Sequence, residues 1–346
     1  MIRLNGWAGL ERLVPERLQQ AAWLRPRYPL VGVELREDAV LVSRLKSQRD
    51  GYHLAGHARR SIEEGLFTSS MTTPRINEPP ALVRAISEAM EDAGADSSAK
   101  VSLALPDTAA RVSLLDFQEL PSTHDQVAEL VRWRLRKSVP FELKDSQISW
   151  EELGRAEDGR VQMLVAVAPT DGMRQIENLF EALGVRVGLV DLASFNVFNA
   201  LRLDGLFEAD DASPAAATRD LALLSATPTY FSLMITRGGR LIFYRAKSYH
   251  VRGGFRGDES LSVVRRELRT TLSYYEEHLL GEGIGTLHAR VVGIEPDGLL
   301  ATALDLGCSD IRPVAVRSLI PELGSLHEEE AMELLPSVGL ALRRMP

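Results

Sequence analysis

The stretch Val131-Arg132-Trp133-Arg134-Leu135-Arg136-Lys137-Ser138-Val139-Pro140-Phe141-Glu142 reads as the last turns of a helix with an abrupt end. Val127, Leu130, Val131 and Leu135 recur at helical spacing and form one apolar stripe. Arg132, Arg134, Arg136 and Lys137 crowd the final turns, where cations are favourable against the carbonyl end of the helix dipole. Pro140 disfavours helical geometry at Val139, so Phe141 leaves on an extended segment. Two readings stay open for this end. Trp133 and Phe141 are core beneath a solvated basic face, or the aromatics and the proline wall a groove.

Around this helix, residues 107–171 read as a compact unit. A strand over 111–117 comes first, and Ser122 can cap a helix over 123–138. Strands over 148–153 and 161–168 follow, joined by the turn 157–160. Upstream, residues 30–35 and 39–45 are strands joined by the tight turn Arg36-Glu37-Asp38. Residues 50–80 are rich in Gly, Ser, Thr and Pro, with a mobile loop expected around 68–80. A helix over 80–93 and a buried-type strand over 101–106 complete this part. Downstream come a helix over 173–183, a strand over 185–189 and a helix over 192–203. Residues 204–219, acidic and then Ala-rich, read as a hinge. The hairpin logic then recurs over 220–245 about the turn Arg237-Gly238-Gly239-Arg240, as in an internally duplicated fold. A helix over 260–280, a strand over 288–292 and a helix over 328–342 end the chain.

Composition excludes several classes. The 346 residues, 45% hydrophobic and 25% charged, suit a globular protein of two or more domains. A net charge of −8 argues against nucleic acid as the main partner. Cys308 is the single cysteine, so neither a disulfide framework nor a Cys-based zinc cluster can form. No stretch reaches the roughly 18 uninterrupted apolar residues of a membrane span, and the N-terminus lacks a secretory pattern. Membrane association is therefore expected through a partner or a surface helix. His53 and His57 share i, i+4 spacing but lie beside Gly51 and Gly56 in an extended context, so no metal pair is expected. HExxH, GxSxG and P-loop motifs are absent, and residues 281–285 do not open a dinucleotide-binding unit.

Residues 132–141 resemble the RWE-x-E-K-Y-x-P-F signature of the type IV pilus assembly protein PilM family, within the FtsA/actin-like superfamily. Residues 267–276, ELRTTLSYYE, resemble that family's E-I-x-R-S-L-x-F/Y-Y helix, and residues 335–343, LPSVGLALR, its closing A-V-G-L-A-L-R. The resemblance implies an α/β, two-lobed actin-like (ribonuclease H-like) fold with a small inserted α+β subdomain. It places an N-terminal extension at 1–29, a first lobe at 30–217 with the insert at about 107–171, a second lobe at 218–330, and a C-terminal helix returning to the first lobe at 331–346.

The functional expectation from the resemblance is a cytoplasmic scaffold, held peripherally at the inner membrane, of the type IV pilus or a related type II secretion platform. It would bind the N-terminal tail of a PilN-like membrane protein, with Trp133, Arg136, Pro140 and Phe141 in or near the groove between insert and first lobe. Further platform or motor proteins and self-association are the other partners implied. The rival expectation is an actin-like ATPase. In ATP-binding relatives the first hairpin carries D-x-G-S-S-S, but here Glu34 takes the aspartate's place and Arg36 the glycine's, and Glu37, Asp38 and Ala39 replace the hydroxyls. The second loop, D-I-G-x-S-T-T, falls on residues 225–231: Ser225 replaces the aspartate and Thr227 the glycine, Pro228 removes a backbone donor, and Thr229 takes the first hydroxyl position. Of the adenosine turn only Gly293 and Gly298 remain. Neither ATP nor magnesium is expected as a cofactor. Met1-Ile2-Arg3-Leu4-Asn5 resembles the PilN tail motif over five residues, which raises the idea of an arm that occupies the groove.

Overall fold

The computed structural model describes residues 28–96, 100–156, 158–207, 220–249, 255, 257–305, 308, 310–314 and 320–343. The N-terminal arm and most of the 204–219 hinge lie outside these. The strands are β1 (Val31–Leu35), β2 (Ala39–Gln48), β3 (Gly51–Ser61), the short pair β4 (Phe67–Thr68) and β5 (Arg75–Ile76), and, after helix α1 (Pro79–Asp92), β6 (Lys100–Leu105). The insert supplies β7 (Arg111–Phe117), α2 (His124–Leu135), β8 (Ser146–Arg155) and β9 (Val161–Pro169). Then come α3 (Thr170–Glu181), β10 (Arg186–Leu192) and α4 (Ala193–Leu203). The second half contains β11 (Asp220–Ala226), β12 (Tyr230–Arg237), β13 (Arg240–Ser248), α5 (Gly257–His278), β14 (Ile284–Val291), α6 (Asp297–Asp305), β15 (Ile311–Pro313) and α7 (Glu328–Ala341).

Two five-stranded sheets have the same order. The first runs β10-β6-β1-β2-β3 and the second β15-β14-β11-β12-β13. In each, the central strand pairs antiparallel with the next strand of a meander and parallel with the strand after a helical crossover. That repeated order is the duplicated, two-lobed actin-like architecture. Strand alternation assigns the faces of the second sheet. Ala222, Leu224 and Ala226 join the core under α5 and α6. Leu221 and Leu223 turn the other way, into the large core built around the first lobe.

The insert is a β7-β9-β8 sheet covered on one face by α2. Val161, Met163, Val165 and Val167 of β9 meet Val127, Val131 and Leu135 of α2. Leu164, Ala166 and Ala168 face the opposite way and share one apolar cluster with Met234 and Leu241 of the second sheet. β7 lies against β13, and Arg240 donates to the Arg155 carbonyl at 2.9 Å. A strand buried on both faces carries a continuous apolar run, which explains residues 161–168.

Three expectations need correction. Residues 51–61, where the sequence suggested only a Gly-, Ser-, Thr- and Pro-rich stretch, form an eleven-residue edge strand. Its sequence is weakly patterned, and the antiparallel register with β2, together with Arg44 donating to the Ala55 and Ala93 carbonyls, holds it. The α2 cap is Thr123, whose hydroxyl accepts from the Gln126 amide at 3.4 Å, and not Ser122. That helix closes at Leu135 and passes into turns before Pro140.

Helix α7 docks on the first sheet and α4 through small residues. A Cβ at Gly32 would lie 1.9 Å from the Ser337 carbonyl oxygen, and one at Gly339 2.2 Å from that of Asn196. The Ser43 and Ser337 hydroxyls share a 2.7 Å hydrogen bond, and buried Arg343 pairs with buried Asp191.

Candidate functional site

The two hairpin tips and the turn after β14 converge beside α7. Glu34 sits near the end of β1, wholly buried, and Arg36 follows at the tip. The Arg36 guanidinium donates to Asp38 through Nε at 2.9 Å and also through Nη2, while its Nη1 donates to Glu333 of α7 at 3.0 Å. Arg59 of β3 donates through Nε to Glu333 Oε1 at 3.3 Å and lies 3.7 Å from Asp38. From the second lobe, Arg290 reaches across. Its Nε donates to the Met332 carbonyl at 2.8 Å, Nη2 to the Glu333 carbonyl at 3.3 Å and Nη1 to the Ser225 hydroxyl at 3.2 Å. Nη2 also lies 3.9 Å from the Glu34 carboxylate.

Neither oxygen of that carboxylate accepts a hydrogen bond from the described residues. Burial pushes Glu34 up to about 7 although Arg290 and Arg36 pull it down. Glu37 is also raised to about 7 by burial, against the Ser69 amide that donates to it at 2.8 Å. Burial also acts to raise Asp38, but the Arg36 hydrogen bonds and charge outweigh it and leave that carboxyl below its ordinary value.

The second tip closes on itself. The Thr227 hydroxyl donates to the Tyr230 carbonyl at 3.1 Å and accepts from the Thr229 and Tyr230 amides at 3.4 and 3.3 Å. Gly293 turns at φ +67°, and a Cβ there would sit 3.0 Å from Pro228 Cγ and 3.7 Å from Arg36 Nη2. The structure therefore brings Glu34, Arg36, Ser225, Thr227 and Gly293 to one place. Guanidinium groups and a proline ring fill it, where phosphate-binding loops offer glycine and free amides.

Sequence reasoning missed the cross-lobe partners. Arg290 is a lone cation in the apolar run 287–292, and Glu333 precedes Leu334-Leu335 in a buried helix. A charge in a buried stretch was the available signal. A second cross-lobe contact was not anticipated either. Buried Asp107, just after β6, accepts from the Ser194 hydroxyl and amide and, at 2.9 Å, from Tyr244 of the second lobe. Burial raises its pKa against those donors. Among the described residues no three His, Cys, Asp and Glu side chains converge as a metal site.

The second candidate surface is the C-terminal end of α2. Trp133 is 71% exposed, which removes the reading of it as core. Arg136 and Pro140 are exposed as well. Phe141 is half-buried against the core of the insert. Trp133 lies about 200° around the helix from Val131, on the side away from the sheet.

A family model described as type IV pilus assembly protein PilM matches residues 32–261. The fold is similar to the structure named PilM-PilN type IV pilus biogenesis complex, with a TM-score of 0.71 and 20% identity over 92% of this chain and 97% of that one. A Bacteroides thetaiotaomicron protein with an actin-like ATPase fold follows, at a TM-score of 0.48 and 11% identity over 82% of this chain and 90% of that one. The ethanolamine utilization protein EutJ from Carboxydothermus hydrogenoformans scores 0.42 at 10% identity over 92% and 90%. No curated protein matches the sequence.

Proposed function

The chain belongs to the type IV pilus assembly protein PilM family, and from that membership we propose a non-enzymatic scaffold of the pilus, or related type II secretion, inner-membrane platform. It docks the N-terminal cytoplasmic tail of a PilN-like membrane protein. The partner class is that of the PilM–PilN complex whose fold this chain shares. The scaffold is cytoplasmic and peripheral, held at the membrane by that partner; no helix of the described residues is long and apolar enough to cross a bilayer.

The observation that carries the non-enzymatic reading is the filled cleft. A magnesium–triphosphate asks for backbone amides and an accessible carboxylate. Here Arg36 and Arg290 stand between the tips, Pro228 has no amide hydrogen, and Glu34 is fully buried. The donor set does not fit, so no step is routed through nucleotide. The tail site is the end of α2 and the turn after it, with Arg136, Pro140 and Phe141 as its contacts and Trp133 at its outer rim.

Two measurements test this. Phe141→Ala and Arg136→Glu should weaken binding of a synthetic tail peptide about tenfold or more while both variants keep the wild-type circular dichroism spectrum at the assay temperature. Normal affinity in both folded variants removes the site. Titration with ATP and Mg²⁺ should give no binding, or weak binding without phosphate release. Turnover would instead establish the rival reading, an ATPase whose lobe closure regulates assembly.

A further inference from the structure

We propose that the outward face of α2 is a contact surface for anionic lipid headgroups, so that the insert itself lies against the bilayer. This goes beyond tail docking and rests on it only for the premise that a membrane protein brings the chain to the surface. Three observations carry it. First, Trp133 is 71% exposed on the side of α2 opposite the buried Val127, Val131 and Leu135. Arg136 continues the helical backbone at φ −50° and ψ −32°, so Trp133 and Arg136 share one face at i and i+3, and Lys137 follows in the turn.

Second, the cations there are uncommitted. Arg132 is paired with Glu129 at 2.8 Å, but Arg134, Arg136 and Lys137 are exposed and have no carboxylate partner among the described residues. Third, charge complementarity selects the occupant. Residues 129–142 contain four cations and two acids, Glu129 paired with Arg132 and Glu142 beyond the turn, and so carry net positive charge in a chain of net charge −8. An anionic bilayer repels such a chain overall and attracts it through this face, which fixes the orientation as well as the contact. An isolated indole ringed by Arg and Lys on the outer layer of the insert is the pattern of interfacial anchoring, where the ring sits at headgroup depth.

The test uses the full chain with vesicles of phosphatidylcholine alone and of equal parts phosphatidylcholine and phosphatidylglycerol. The chain should float with the anionic vesicles only, and detach in about 1 M salt, where the screening length falls to about 3 Å. A cation at a headgroup surface is worth about fivefold in affinity. Arg136→Glu with Lys137→Glu should therefore cost about twenty-five-fold or more, and the milder Arg136→Gln with Lys137→Gln should cost less in the same direction. A vesicle-induced blue shift of tryptophan emission should disappear in Trp133→Phe. Phe141→Ala should keep vesicle binding while losing the tail peptide, and this separates the two activities although the surfaces share Trp133 and Arg136. Wild-type protein that ignores anionic vesicles, or charge-reversed protein that binds them as well as wild type, overturns the inference. So does a reversal that abolishes tail binding when wild type never bound lipid, because the face then serves an acidic protein segment. Vesicle binding that stands while Phe141→Ala and Arg136→Glu bind the tail normally supports this inference and removes the tail site.

Discussion

Residues 31–61 and residues 220–248 fold into the same three-stranded meander, yet their tips are finished in opposite ways. The first tip sends charge outward: Arg36 engages Asp38 beside it and Glu333 on α7, 297 residues away. The second turns inward, with one hydroxyl, Thr227, holding both sides of its own turn. The third strands differ as well. β3 faces the C-terminal segment through His53–Glu322 at 2.8 Å and His57–Glu330 at 3.0 Å, while β13 lies against the insert. A duplicated topology fixes where a turn lies and leaves its chemistry free. Here that freedom has gone into joining the halves.

The largest effect should come from removing the residue that touches both copies. Arg290→Met leaves the Met332 and Glu333 carbonyls, Ser225 and the Glu34 charge without their cation. Breaking a buried pair in this way costs about 3–5 kcal/mol, to be read as a lower denaturation midpoint with the slope unchanged. A shift below about 1 kcal/mol would mean that the lobes are held elsewhere.

Glu34→Gln sharpens the first tip. Glu34 is raised from 4.5 to about 7, so the native state holds its proton more tightly than the unfolded chain does. Wild-type stability therefore falls as pH rises from about 4.5 to about 7. The glutamine variant should be more stable by about 3 kcal/mol at pH 8 and no different near pH 4. A gain independent of pH would show that the carboxylate is not the cause.

At the second tip, Thr227→Val keeps shape and deletes three hydrogen bonds of a buried turn, which should cost about 2 kcal/mol in thermal unfolding. The smallest effect lies on β3. His53 is raised above its ordinary value, first by its Glu322 hydrogen bond and then by Asp50, so its contribution is present at low pH and lost as pH rises through its folded pKa. Glu322→Gln should lower the His53 midpoint in an NMR titration.

The meanders were legible because β1, β2, β11 and β12 bury apolar residues in short runs around tight turns. β3 was not, since Gly51, Gly56, His53, His57 and Arg59 give no alternation, and its position is set by neighbours distant in sequence. α6 and β15 escaped for a similar reason: they are short, and tertiary contact outweighs local preference there. The substitutions at both tips could be read residue by residue from the chain. What occupies the space they left could not, because Arg290 and Glu333 come from other elements, and only the fold brings them to Arg36.

The double-faced strand β9 has a mechanical consequence. One side of it holds the helix that carries Trp133, and the other side borders the second lobe. A tug on that helix meets a single wall shared by the insert and the second lobe, so load enters both halves of the molecule at once.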